Sequence, residues 1–215
     1  METDPAEIKK LGKEKEDENW KFRTFLKMCD TPSKEIDAIV HRLYEQISSE
    51  IDCKTCRNCC KELLPVLDEE DIEMASQVLG LSVDQFTEQY LVMDEFEREY
   101  TFDKLPCQFL VDNKCQLKNY RPKSCKSYPY LHKEDFTQRL ISAVRNCSVC
   151  PIVYNVYEQL KEELQFDPQS DEFGYDDFDI DFGFDDFDLD DFDDFDLDLD
   201  DLDDFDPINT EYEDA

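Results

Sequence analysis

Cys53-Lys54-Thr55-Cys56-Arg57-Asn58-Cys59-Cys60 places four cysteines within eight residues. Core packing does not call for thiols at this density. Gaps of two residues bring the backbone round so that several sulfurs converge on one centre, a metal ion or an iron–sulfur cluster. Downstream come Cys107 (after Pro106), Cys115 and Cys125, then Cys147 and Cys150 in a C-x2-C pair. These nine cysteines are the candidate metal ligands. The tenth, Cys29, follows an amphipathic stretch alone and reads as a small buried apolar residue.

Cys53, Cys56 and Cys59 have the spacing with which bacterial ferredoxins present three thiolates to a 4Fe–4S cluster. The fourth ligand then comes from a distance: Cys107, Cys115, Cys125 or the Cys147/Cys150 pair. Cys60 adjoins Cys59, and adjacent side chains rarely reach the same atom, so it suits a second centre or a polynuclear cluster. One zinc with four thiolates leaves most of these cysteines unused. The surplus favours an iron–sulfur cluster, or two metal sites, over a single zinc, with zinc kept as the alternative. The chain has only two histidines. His41 falls on the polar side of its helix, and His132 reads as outside the ligand set unless neighbours hold it in place. Arg121 and Lys123 fit two roles equally well, offsetting thiolate charge or solvated surface.

The same residues carry a resemblance. The run Cys53–Cys60, then Pro106-Cys107-x-Phe109-Leu110, Cys115 and Tyr120-Arg121-Pro122-x2-Cys125-x2-Tyr128-Pro129, resembles the CxxCxxCC (YkgJ-type) cysteine-cluster family of zinc- or iron-chelating domains. It spans about residues 50–151. It implies a compact metal-binding domain and leaves zinc against iron–sulfur open. Some flagellin lysine methylases are similar in this motif, but nothing here independently supports methyl transfer. Where the family has a glycine before the double cysteine, this chain has Asn58, a departure expected to affect only the turn.

Outward from the cysteines, the fold class reads as α+β, mainly helical: a small cysteine-rich metal-binding domain with a short β-hairpin, and a disordered acidic C-terminal tail. Three segments follow, a charged N-terminal extension (1–30), the cysteine-cluster domain (31–166) and the tail (167–215). Residues 7–28 read as a helix on the surface or only partly ordered. Thr31-Pro32 resembles an N-cap with proline at the first helical position. Ile36, Ile39, Val40, Leu43, Tyr44 and Ile47 form one apolar stripe over a helix at 33–51. Acidic residues 68–71 open a helix ending at Gly80, and Ser82-x2-Gln85 fits a capping box for another. Asp112-Asn113-Lys114 has hairpin-loop chemistry. Periodicity leaves 136–146 undecided between strand and helix. Ile152, Val153, Val156, Tyr157, Leu160 and Leu164 mark a final amphipathic helix.

The net charge is −33, and residues 167–215 carry 24 acidic side chains and no basic one. Asp-Asp-Phe-Asp recurs there five times. Aspartate repulsion and poor helix propensity predict disorder. Such a tail solubilises, or it holds a protein partner, a basic one by charge. A protein this acidic suits neither nucleic acid nor a membrane surface. No segment spans a bilayer, and the charged N-terminus has no secretory apolar region. A cytoplasmic location with reduced cysteines is therefore expected. With four glycines in all, no phosphate loop and no HExxH, the chain reads first as a binding or redox module. A cluster-dependent redox or group-transfer enzyme and a metal store or chaperone are the alternatives.

Overall fold

The computed structural model describes residues 1–94 and 98–170; the acidic tail from 171 lies outside the described residues. The described chain is mainly helical with small antiparallel strands. In order, its elements are α1 (Pro5–Glu14), α2 (Glu16–Met28), α3 (Ser33–Glu50), α4 (Cys53–Cys56), α5 (Cys59–Glu62), β1 (Val66–Leu67), α6 (Glu69–Leu79), α7 (Val83–Tyr90), β2 (Leu91–Met93), β3 (Tyr100–Phe102), β4 (Leu110–Val111), β5 (Lys114–Cys115), α8 (Lys123–Ser127), α9 (Leu140–Asn146) and α10 (Pro151–Glu163). Short 3-10 turns precede α8 (Lys118–Tyr120) and α9 (Phe136–Gln138).

Two hydrophobic clusters organise the molecule. The helical one gathers α1, α2, α3, α9 and α10, with α10 packed along α3. The α3 stripe behaves as expected: Ile36, Val40, Leu43 and Ile47 are buried, while Ile39 and Tyr44 pack at its edge. The N-terminal segment differs from the surface helix expected of it. It breaks at Lys15 into two helices, and Ile8 and Phe22 are fully buried. Phe22 meets Tyr157 edge-on at 5.0 Å and Phe166 at the same distance. Few apolar residues suffice because most are bulky and face inward, Ile8, Phe22 and Leu26 buried with Leu11 and Phe25 packed against them, while Met28 stays exposed. Trp20 packs on this cluster too, with the Arg23 guanidinium 5.7 Å from its ring. At Gly12, a Cβ would lie 2.5 Å from the Ser148 Cα, so only glycine lets α1 approach the chain ahead of α10.

Polar anchors fix these helices. Buried Lys161 donates to Glu18, Asn19 and Glu158, each at 2.7 Å, joining α2 to α10. Asp37 on α3 accepts from the backbone N–H groups of Asp135 and Phe136, both at 2.8 Å. The expected proline at the first turn of α3 is displaced by one residue. Pro32 is extended (ψ 140°) and is itself the cap.

The second cluster comprises α6, α7, a three-stranded antiparallel sheet of order β1-β3-β2, Phe109 and Leu117. Its local signals hold. Asp68 caps α6 by accepting from Asp71 N–H, Gly80 ends that helix in the left-handed region (φ 68°), and Ser82 and Gln85 form the capping box of α7. Asp112 and Asn113, both with positive φ, close the β4–β5 hairpin, the two-residue turn whose twist suits paired strands. Residues 136–146 resolve into the 3-10 turn and α9. Among the described residues no helix is long and apolar enough to cross a membrane.

Candidate metal centre

The cysteine segments are drawn together by tethers that begin at the 53–60 run. Asp52 caps α4, accepting from Lys54 N–H (2.9 Å) and the Thr55 hydroxyl (2.7 Å). Arg57 adopts a left-handed conformation (φ 54°), which turns the chain so that α5 starts at Cys59. The Cys60 carbonyl accepts from Cys107 N–H at 2.8 Å. From the hairpin tip, Asn113 Nδ2 donates to the Thr55 carbonyl at 2.9 Å. Asn58 is buried and donates through Nδ2 to the Val149 carbonyl at 2.7 Å. Its effect is thus wider than the turn: it ties the cysteine run to the segment between Cys147 and Cys150, a bond no glycine makes.

Cys125 is positioned through α8. Both Asp71 carboxylate oxygens accept from Lys123 N–H, at 2.9 and 3.1 Å. The Ser124 hydroxyl donates to the Val66 carbonyl at 2.7 Å. The Lys123 ammonium pairs with Asp68 (2.7 Å) and Glu70 (2.6 Å), so it is engaged with acids and absent from the thiol wall.

These tethers leave a cavity of about 500 Å³ between the two hydrophobic clusters, and every candidate cysteine except Cys147 lines it. Cys53 is exposed at its edge and Cys150 is buried at its back. Cys147 is 1% exposed and belongs to the helical cluster. It closes α9, and the turn to α10 brings Cys150 alone to the wall. Cys29 packs against the helical cluster and does not line the cavity, though it is half-buried and not buried as expected. His41 contacts the Lys133 carbonyl at 3.2 Å and His132 lies beside Tyr44; neither lines the cavity. Arg121 does line it, together with Arg57, Lys133 and Arg139. Tyr128 is the residue that sequence reasoning passed over: its hydroxyl donates to Asn146 Oδ1 at 2.9 Å, and its ring forms part of the wall. In the sequence Tyr128 figures only as part of the Tyr128-Pro129 end of the family motif, with no role of its own.

The thiols share an electrostatic environment. Burial raises Cys53 and Cys107, lifts Cys125 to about 12 and lifts Cys150 to about 11. Cys59 and Cys60 are hydrogen-bonded to each other. That bond lowers Cys60, with Arg57 and Arg121 assisting, and raises Cys59. Cys60 is therefore the more acidic thiol of the pair, favoured by the Arg57 and Arg121 guanidinium groups. Burial, reinforced by the charge of Cys150, drives the Tyr128 phenol upward, so it remains a neutral donor.

Thiolates are the donors that zinc and iron–sulfur centres take, and eight on one wall fit such a group chemically. Among the described residues no three His, Cys, Asp or Glu side chains converge to hold one ion, whereas four thiolates on a zinc meet at about 2.3 Å from it.

Residues 52–151 match the model of the CxxCxxCC family, described as "Putative zinc- or iron-chelating domain". No curated protein and no solved structure matches the chain.

Proposed function

We propose that the chain is a cytoplasmic metal protein whose cysteine-walled cavity holds an iron–sulfur cluster, with one or two zinc ions as the alternative cargo of the same thiols. The observation that carries this reading is that eight cysteines line one cavity, twice the number that a single four-thiolate ion uses, while no three of them converge on one point among the described residues. A cluster of several metal atoms distributes its thiolates over a larger span than a single ion does. When bound, the cluster supplies electron transfer or a Lewis-acidic metal. The chain's own residues supply the thiolates, a neutral Tyr128 hydroxyl beside them and the positive charges of Arg57 and Arg121. Cys53, Cys56 and Cys59 are the first ligands in this reading, followed by Cys107 and Cys125. The protein purified without oxygen is then brown and contains iron and sulfide, and Cys56→Ser loses them. Stoichiometric zinc, with no iron taken up after reconstitution, sinks the iron–sulfur reading.

The 24 acids of residues 167–215, unaccompanied by any base, support a basic protein partner for the tail. Polylysine titrated into the full chain at low salt gives a binding isotherm that weakens as salt rises; no binding at low salt counts against it.

A further inference from the structure

The cavity is larger than a metal centre requires, and its wall carries cations as well as thiols. Its volume, about 500 Å³, lies inside the range of roughly 300–1,000 Å³ seen for organic-ligand sites. Its wall carries Arg57, Arg121, Lys133 and Arg139 and, among the described residues, no Asp or Glu. The whole chain has 56 acidic residues against 23 basic ones, so an acid-free wall with four cations runs against its composition. None of the four forms an ion pair among the described residues, where the pairs involve other side chains.

The four cations divide into two pairs. Arg57 and Arg121 act on the thiols: both attract Cys60 and Cys53, and Arg57 hydrogen-bonds Cys60. A single centre held by four thiolates, whether one zinc ion or one 4Fe–4S cluster with a 2+ core, retains two negative charges, which two arginines balance; the inference takes this single-centre form of the metal reading. Lys133 and Arg139 remain. Arg139 is held in place, donating to the carbonyls of Glu134 (2.6 Å) and Lys133 (2.7 Å). The Lys133 ammonium lies 4.9 Å from the centre of the Tyr130 ring, itself part of the wall. The same wall carries apolar side chains, among them Leu64, Leu131 and Phe136. A guanidinium held by two carbonyls and an exposed ammonium beside it, on a partly apolar wall, are complementary to an anionic head on an apolar body.

We infer that the cavity binds, beside its metal, a small organic anion, with a carboxylate or phosphate head met by Lys133 and Arg139 and its apolar body along the Leu64, Leu131 and Phe136 wall. The charge balance in this inference rests on the metal reading above.

The test is calorimetric titration of the metal-loaded full chain with octyl phosphate, octanoate, octan-1-ol and octylammonium, with metal content measured in every sample beforehand. The two anions bind at one site, about tenfold or more tighter than octanol and octylammonium, and the stronger of the two identifies the head group as phosphate or carboxylate. Lys133→Gln and Arg139→Gln each weaken anion binding about tenfold, one lost charge-assisted contact, with metal content unchanged. Lys27→Gln, exposed and outside the cavity, binds as the wild type does. Should Arg139→Gln unfold, Lys133→Gln and the ligand series still decide. Octanol binding as well as the anions do, or Lys133→Gln binding octyl phosphate like the wild type, overturns the inference. A wild type that holds no metal overturns the metal reading instead, and the metal assay shows this before any ligand is added.

Discussion

At the scale of single residues, the thiols set a pH dependence. With Cys125 raised to about 12 and Cys150 to about 11 by burial, both carry protons at neutral pH and must shed them to ligate. Metal affinity therefore rises with pH, about tenfold per unit for each proton released. The apo-protein has the opposite sign. A thiol whose folded pKa is raised stabilises the fold below its ordinary value and loses that stabilisation as pH climbs through the folded value. Competition with a chromophoric chelator between pH 6.5 and 8.5 reads the first effect, and a flat profile contradicts thiol ligation. Gly12 and Asn58 are the other decisive single positions. Gly12→Ala drives a methyl into the Ser148 backbone and should cost about 1–3 kcal/mol, seen as a lower midpoint in urea. Neither was legible beforehand. Gly12 looks like any helical glycine, and Asn58 like a turn residue, because the partners of both lie more than ninety positions away.

At the scale of elements, legibility followed length and local chemistry. The helices at 33–50, 69–79 and 83–90 announce themselves through stripe, cap and capping box, since each signal is complete within the element. The three-stranded sheet does not, because strands of two or three residues are too short for alternation to show. The break at Lys15 has no sequence mark either; it is imposed by packing α1 against the segment before α10. The cysteine run was legible as a motif, yet the element that aims Cys125 depends on Asp71, which sequence reading treated only as a helix-opening acid. Asp71→Ala leaves the Lys123 N–H without its acceptor and should cost about 2 kcal/mol. It should also speed iodoacetamide labelling of Cys125 in the apo-protein, measured by mass spectrometry. Unchanged labelling contradicts the positioning role of Asp71.

At the scale of the molecule, the cavity is the seam between two hydrophobic clusters, and cysteines reach it from both sides: Cys150 from the helical cluster, Cys107 and Cys115 from the other. A metal centre there cross-links lobes that otherwise share little core. Removing it should release the smaller lobe first, since that lobe rests on strands of at most three residues and two helices. Hydrogen exchange after chelation should rise in α6, α7 and β3 well before it rises in α3 and α10. A uniform rise across both lobes contradicts the cross-link.

Trp20 makes that division observable without labels. It is the chain's one tryptophan, and it packs on the helical cluster. Its fluorescence therefore reports on the helical lobe alone, while in the proposed iron-loaded form visible absorption reports on the seam. A thermal melt recorded in both channels yields two midpoints where the lobes part company and one where they unfold together, so this one indole serves as a built-in clock for the order of events.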